Sequence, residues 1–244
     1  MDKNISRRSA LKMFAASVVA TSVTGCQSTA TNNVSATQEN GALPTRDNWH
    51  KTYDRVWLGG EYWANPMEDW QVKSGKAECT SRGGNRSIHS LTHQLANLKH
   101  GFKISVIFSQ IEVDENDGGA GIRLGARSEL NEYRSNCFVQ EGFDAGIRKN
   151  MLTLGDKQSP LKQNIASDEV LLTLTGKPQS GAMALYLEAV LVSSNKSIGS
   201  LQHLVPNDEL LGNVALVSNF GINAVNSSIK TEESNNTTPE LLGS

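Results

Sequence analysis

The sequence predicts an all-β protein folded as a β-sandwich. Its apolar runs are short, they are bounded by Gly, Asn, Asp and Ser, and no convincing helix intervenes between them. A chain of 244 residues can form one large domain or two small ones. Short, regularly spaced strands without intervening helices favour two packed sheets.

Residues 1–25 predict an export signal rather than part of the sandwich. Arg7 and Arg8 begin a basic region, and the apolar run Met13–Val23 that follows is too short for a stable membrane span. The paired arginines resemble the twin-arginine export signal, although Ala10 stands where an aromatic residue is usual. A buried helix is the alternative, but such a helix does not usually end at a Gly-Cys pair.

Cys26 is predicted to carry a lipid anchor. It follows the small residues Thr24 and Gly25, which a lipoprotein signal peptidase accepts, and Gln27 favours the outer membrane in Gram-negative bacteria. Two acyl chains hold a protein on a membrane more firmly than one chain does. We therefore expect an exported cell-envelope lipoprotein, mature from Cys26, that faces the periplasm or the cell surface.

Polar segments flank the predicted sandwich. Residues 26–46 and 226–244 contain few large apolar side chains, so their burial cannot offset the entropy that ordering costs. The first segment is therefore predicted to be a flexible tether and the second a disordered polar tail. The sandwich domain is predicted to occupy residues 47–225.

Strand candidates follow one another through the domain. Trp70–Lys73, the turn Ser74-Gly75 and Lys76–Cys79 have the pattern of a hairpin. Asn131–Arg134 could form one turn of helix or a loop. The remaining strand candidates, in chain order, are Phe102–Phe108, Gly121–Gly125, Phe143–Ile147, Asn150–Leu154, Val170–Thr175, Met183–Val192 and Val214–Asn219.

Net charge and cysteine content bear on which partners the protein could bind and on whether it could form a disulfide. A formal net charge of −2 gives no reason to expect a nucleic acid partner. With Cys26 lipidated, the exported chain keeps Cys79 and Cys137, which could form a disulfide. Sequence alone does not show whether their Cα atoms approach closely enough.

The acidic segment 112–117 allows three interpretations. Laminarinase-like glycosidases carry Glu-x-Asp-x-x-Glu on one strand, and Glu112, Asp114 and Asp117 approach that pattern. The short side chain of Asp117 departs from it. A calcium site could begin at Asp114, but an EF-hand would need a glutamate where Gly125 stands. We favour a solvated connection between strands, so no catalytic residue and no cofactor is predicted, with calcium as the alternative.

Histidines and tryptophans are further candidate binding residues. His89 and His93 lie four residues apart, but a catalytic zinc ion needs three protein ligands, so packing or hydrogen bonding is expected of them. Trp57, Trp63 and Trp70 would create a glycan-binding face if they were exposed, because aromatic rings stack on sugar rings. Core packing is the expectation for most of them.

Several short motifs resemble one family of exported enzymes. The motifs lie in Trp63–Trp70, Gln71–Cys79, Gly83–His93, Ala120–Gly125 with Asn131–Arg134, and Phe143–Ile147. Together they are similar to the N-terminal region of PhoD-like alkaline phosphatases, over residues 49–220. The resemblance implies a concanavalin-like, jelly-roll sandwich, which in those proteins precedes a metallophosphoesterase domain.

The catalytic half of that family has no counterpart in this sequence. A metallophosphoesterase holds two metals with clustered ligands, whereas this chain has five histidines and no Gly-Asn-His-Asp or Asp-x-His segment. We therefore expect no metal site, and a non-catalytic, lipid-anchored binding or positioning module with a glycan or an envelope phosphatase as partner. One alternative is a carbohydrate-binding protein or divergent laminarinase-like hydrolase. The other is a truncated front part of an alkaline phosphatase D.

Overall fold

A computed structural model describes residues 49–109, 118–165, 168–220, 223–225 and 230–232. These residues form two antiparallel sheets with little helix, so the predicted all-β sandwich is confirmed. Within these ranges, no helix has the length and the hydropathy that a membrane span requires. The predicted export signal with Arg7 and Arg8, and the lipidation site Cys26, lie outside the described residues.

One sheet contains seven strands in the order β1-β4-β13-β6-β7-β8-β9. The strands β7, β8 and β9 follow one another as a meander. In contrast, β13 comes late in the chain and lies between β4 and β6, which precede it in the sequence. This sheet consists of β1 (Tyr62–Asn65), β4 (Arg86–Leu95), β6 (Gly119–Ala126), β7 (Phe143–Arg148), β8 (Met151–Leu154), β9 (Lys157–Pro160) and β13 (Gly212–Asn219).

The other sheet contains eight strands in the order β12-β11-β10-β5-β14-β3-β2, with β15 also paired to β5. It consists of β2 (Trp70–Lys73), β3 (Lys76–Cys79), β5 (Phe102–Ser109), β10 (Val170–Gln179), β11 (Ala182–Leu191), β12 (Lys196–Pro206), β14 (Ala224–Val225) and β15 (Lys230–Glu232). The described helices are α1 (Tyr133–Asn136) and the 3-10 turns Trp49–Lys51, Met67–Asp69 and Asn207–Glu209.

The hydrophobic core lies between the two sheets. Side chains alternate along each strand, so one row of each sheet points inward. Ile122 and Leu216 supply the core from the seven-stranded sheet, Ile104 and Leu174 supply it from the eight-stranded sheet, and all four are at most 1% exposed. Burial of each such side chain contributes about 1.5–3 kcal/mol. The other side chains of the seven-stranded sheet point away from the core, and we call the side to which they point the outer face of that sheet.

Most strand predictions are confirmed, and the first hairpin is confirmed to the residue. Its turn residues Ser74 and Gly75 have φ angles of 50° and 75°, which two-residue hairpin turns favour. The segment Asn131–Arg134 runs into helix α1. The predicted strands did not include β1, β4, β9, β12 or β14. In β4 and β12, polar side chains occupy positions on both faces, so the alternation of apolar and polar residues is weak.

The predicted polar tail contains a strand. Lys230–Glu232 forms β15 and pairs with residues 103–105 of β5, where the ladder satisfies the backbone groups of both strands. The pairing of the sheet therefore extends beyond residue 225, which was the predicted end of the domain. Residues 226–229 and 233–244 lie outside the described part of the chain.

Cys79 and Cys137, whose pairing the sequence left open, do not form a disulfide. Both residues are buried free thiols. Cys79 lies on β3 of the eight-stranded sheet, whereas Cys137 follows α1, which packs on β13 of the other sheet. The Cys79 thiol donates to the carbonyl oxygen of Ser81 at 3.4 Å, and Cys137 Sγ accepts from Asn213 Nδ2 at 3.5 Å. Each sulfur thus has a polar partner of its own.

Candidate functional site

The candidate site is a pocket on the outer face of the seven-stranded sheet. The pocket has a volume of about 390 Å³ and lies over β6, β7, β8 and the end of β13. That volume is in the range of small-molecule sites in proteins, about 300–1,000 Å³. Its walls are polar and aromatic, and they are formed mainly by Asn85, Arg123, Asp144, Arg148, Thr153, Gln158, Asn219 and Phe220.

Three glycines form the floor of the pocket. Gly119, Gly121 and Gly146 line it, and Gly121 pairs directly with Gly146 across β6 and β7. The two strands approach so closely that a Cβ atom on Gly121 would lie 2.6 Å from the carbonyl oxygen of Ala145, and a Cβ on Gly146 would lie closer still to that of Ala120. The floor is therefore bare backbone, which leaves room for a ligand above it.

Arg123 fixes the walls of the pocket to one another. Its guanidinium donates to both carboxylate oxygens of Asp144, Nε to Oδ1 at 2.6 Å and Nη2 to Oδ2 at 2.9 Å. Its Nη1 donates to Asn85 Oδ1 at 2.6 Å and to the carbonyl oxygen of Gln140 at 2.7 Å. The Arg123 side chain is 7% exposed, whereas that of Asp144 is 45% exposed. A planar, bidentate pair of this kind holds its partners in one geometry, and the carboxylate stays accessible at the rim.

Two residues of the rim have left-handed backbone conformations. Asn85 has a φ of 58° and Phe220 has a φ of 48°. Asparagine tolerates this region, but phenylalanine in it is uncommon and strained by about 1–2 kcal/mol. The backbone N–H of Phe220 donates to the carbonyl oxygen of Gly83 at 3.2 Å, and its ring packs on Gly84, where an added Cβ atom would lie 2.6 Å from Phe220 Cζ. Backbone strain held in this way is frequent at binding sites.

The ring of Phe220 is presented to solvent beside hydrogen-bonding groups. It is 38% exposed. Asn219 Oδ1 accepts from the backbone N–H of Asn85 at 2.8 Å, and Asn85 Nδ2 donates to the carbonyl oxygen of Gln140 at 2.9 Å. An apolar ring surrounded by ordered amides and a carboxylate suits a ligand with hydroxyl groups on its edges and an apolar face.

His89 lies on the same outer face but is not accessible. It is fully buried on β4, and its Nε2 is 3.1 Å from Ser87 Oγ. Burial, together with the charge of Arg123, lowers the pKa of His89 from 6.5 to about 4. His93 Nδ1 lies 2.8 Å from Thr92 Oγ1 on the same strand. Hydrogen bonding by both histidines is confirmed, and the described residues contain no group of three metal-ligating side chains.

The three candidate tryptophans have three different environments. Trp70 is 2% exposed, so it packs in the core, as was expected for most of these tryptophans, and its ring is not available to a ligand. Trp57 is 55% exposed but does not line the pocket. Trp63 lies on β1 and pairs edge-on with Phe138, with ring centroids 5.5 Å apart. The acidic candidates Glu112, Asp114 and Asp117 lie outside the described residues.

Sequence reasoning missed Asn85, Arg123, Asp144 and Phe220. Arg123 and Asp144 were within predicted strands, and their opposite charges at outward positions of neighbouring strands were a usable signal. The sequence alone did not show that β6 and β7 are neighbours in the sheet. Nothing in the sequence indicated the left-handed conformation of Phe220.

Comparison with known proteins gives a fold and no family. No family model matches the chain, and no curated protein matches it. Lectin II from Ulex europaeus matches with a TM-score of 0.51 and 10% identity, over 74% of this chain and 97% of the lectin. The lectin UEA-II complexed with galactose matches with a TM-score of 0.50, 10% identity and the same coverage. The exoplasmic/lumenal domain of VIP36 in its Ca²⁺-bound form has a TM-score of 0.46 at 10% identity, over 74% and 86% of the two chains. The chain therefore has the concanavalin-like, jelly-roll sandwich fold that was predicted.

Proposed function

We propose that this chain is a non-catalytic carbohydrate-binding module of the bacterial cell envelope. The observation that carries the proposal is the pocket on the outer face of the seven-stranded sheet, where the exposed ring of Phe220 stands beside fixed polar groups. Sugar rings present hydroxyl groups at their edges and an apolar C–H face, which matches this lining. The ring of Phe220 would contact the apolar face, while Asn85, Asn219 and Asp144 would accept or donate hydrogen bonds at the edges.

The number of carboxylates that line the pocket favours sugar binding over sugar hydrolysis. A glycosidase of the usual kind needs two carboxyl groups on opposite sides of the scissile bond. Among the described residues that line the pocket, Asp144 is the one carboxylate, and Arg123 engages both of its oxygens. The chemistry of the described lining is therefore recognition.

The fold is consistent with this function. The two lectin structures with TM-scores of 0.51 and 0.50 have the same sandwich, and one of them was solved with galactose. At 10% identity they support the fold of this chain, while the proposal itself rests on the pocket.

The proposal includes the attachment of the module to a membrane. Lipidation of Cys26 after export would place the sandwich at the end of a tether on the cell envelope, with the outer membrane as the expected location. The resemblance to the N-terminal region of PhoD-like phosphatases suggests that the module positions an envelope phosphatase near the glycan that the module binds. Fractionation of cells tests the anchor: Cys26→Ser should move the protein from the membrane fraction to the soluble fraction.

Calorimetric titration tests the carbohydrate site directly. The purified protein is titrated with oligosaccharides from laminarin, cellulose and chitin, and the Kd of each is compared between wild type and Phe220→Ala. Because truncation of a central aromatic contact removes about 2 kcal/mol or more, we expect binding to weaken by about thirtyfold or more. Phe220→Trp keeps an aromatic platform and should retain most of the affinity.

Tyr186→Ala is the matched control. Tyr186 is 37% exposed, close to the exposure of Phe220, but it lies on β11 of the opposite sheet. Its removal should leave every Kd unchanged. Equal effects of the two alanine variants on Kd would contradict the assignment of the sugar site to this pocket. Titrations in which none of the three sugar series produces binding heat would contradict carbohydrate binding by this module.

A further inference from the structure

We propose that Trp63 and Phe138 form a second aromatic subsite on the same outer face, so that the module binds an extended glycan chain rather than a single sugar. This inference rests on the proposed function, because it extends the site at Phe220. It adds the class of ligand, a linear oligosaccharide long enough to reach both subsites.

The strand register places Trp63 on the same face as the pocket. Trp63 pairs with His89, His89 pairs with Ala215, and Ala215 pairs with Arg123. Residues directly opposite each other on neighbouring strands project to the same side of a sheet. Because Arg123 lines the pocket, Trp63 belongs to that side. Three strand spacings of about 4.8 Å separate β1 from β6, so Trp63 lies roughly 14 Å from Arg123 across the sheet.

The exposed phenylalanines mark the two ends of this surface. Among the described phenylalanines, Phe102, Phe108 and Phe143 are at most 9% exposed and belong to the core. Phe138 is 65% exposed and Phe220 is 38% exposed. Both of these lie on the outer face of the seven-stranded sheet, one against Trp63 and the other at the pocket. Aromatic rings that are withheld from a core and gathered on one face are typical of a binding surface.

The Trp63–Phe138 pair has a fixed geometry. The ring centroids are 5.5 Å apart, and the ring planes meet at 66°. This edge-on arrangement is favourable for aromatic pairs and holds both rings in place. Trp63 is partly buried while Phe138 remains mostly open, so the pair offers an ordered apolar platform beside solvent.

One short segment joins the two subsites. The carbonyl oxygen of Cys137 accepts from Asn65 Nδ2 at 3.5 Å, which ties the segment to β1 next to Trp63. The carbonyl oxygen of Gln140 accepts from Arg123 Nη1 at 2.7 Å and from Asn85 Nδ2 at 2.9 Å, which ties it to the pocket. Residues 137–140 therefore form a wall along the path from one aromatic platform to the other.

Affinity should then depend on the length of the ligand. A short sugar fills the pocket and contacts Phe220 only. A longer chain also reaches the Trp63–Phe138 platform, and because the two contacts belong to one molecule, the second forms at a high effective concentration. We expect Kd to fall by about tenfold or more once the chain spans both subsites.

The test is a length series of one linear sugar on the full protein. Calorimetric Kd values are measured from disaccharide to hexasaccharide, in the series that binds best among laminarin, cellulose and chitin fragments. Phe138→Ala should abolish the gain in affinity with length and leave the Kd of the shortest ligand unchanged. Trp63→Leu should act in the same direction, while Phe220→Ala should weaken short and long ligands alike.

Leu130→Ala is the matched control, because Leu130 is 80% exposed and lies near the start of helix α1. It should leave the whole series unchanged. The second subsite is refuted if Kd is independent of length in wild type, or if Phe138→Ala leaves the gain with length intact. In either case a Phe220-dependent affinity for the shortest sugar would keep the proposed function. If no sugar binds at any length, the proposed function and this inference both fail.

Discussion

The buried imidazole of His89 should make the stability of the sandwich depend on pH below neutrality. His89 is fully buried, and its pKa is lowered from 6.5 to about 4 by burial and by the charge of Arg123. Its Nε2 contacts Ser87, while its Nδ1 has no hydrogen-bond partner within the described residues. The folded protein therefore keeps the ring neutral, whereas the unfolded chain protonates it at its ordinary pKa.

The sign and size of the effect follow from these two pKa values. Between pH 6.5 and about 4 the unfolded state binds the extra proton, so stability falls as the pH falls through this window. The contribution is fully present above pH 6.5. From pH 7.5 to pH 4.5 the expected loss from this one residue is about 2–3 kcal/mol.

Urea unfolding at a series of pH values measures this loss, with the variant His89→Gln as reference. Glutamine cannot titrate, so the difference in free energy of unfolding between wild type and variant isolates His89 from the other acid-sensitive groups. We expect wild type to lose about 2–3 kcal/mol relative to the variant between pH 7.5 and pH 4.5. Parallel pH profiles for the two proteins would refute the assignment of a neutral, buried imidazole.

Three further predictions concern the pocket and the thiols. Gly146→Ala should lower the free energy of unfolding by about 1–3 kcal/mol, because its Cβ would overlap the backbone of β6; an unchanged urea midpoint would contradict the close strand approach. Arg123→Met should cost about 1–3 kcal/mol through lost hydrogen bonds to Asn85 and Gln140, and should also weaken sugar binding; unaltered stability and Kd would contradict its role. Burial raises the thiol pKa of Cys137 to about 11 and that of Cys79 above its ordinary value, so thiol reagents should label both only after unfolding; labelling of the native protein, or a need for reductant, would contradict buried free thiols.

Local patterns predicted the sandwich and much of its strand content. The hairpin Trp70–Cys79 was readable because its turn and both strands lie within ten residues of one another. The run Val170–Thr175 was readable because it alternates regularly. By contrast, β12 carries polar side chains on both faces and depends on pairing with β11, so its sequence alone gave no strand signal.

The pocket could not be assembled from sequence because its parts are distant in the chain. Arg123 bonds to Asn85 and to Asp144, which are 38 and 21 residues away. Their meeting depends on the order of the strands in the sheet. The conformation of Phe220 depends on its contacts with the turn at Gly83 and Gly84. Which of the tryptophans are buried, and whether Cys79 meets Cys137, depends on the packing of the whole sandwich.

The central claim is that the pocket at Phe220 holds a sugar, and a nuclear magnetic resonance titration tests it most directly. Resonances of the backbone and of the Arg123 Nε–H group are followed while an oligosaccharide of the best-binding series is added. We predict shifts concentrated at Asn85, Gly121, Gly146 and Phe220, with the region around Tyr186 on the other sheet unchanged. Absence of shifts at the pocket, or shifts confined to the other sheet, would contradict the account.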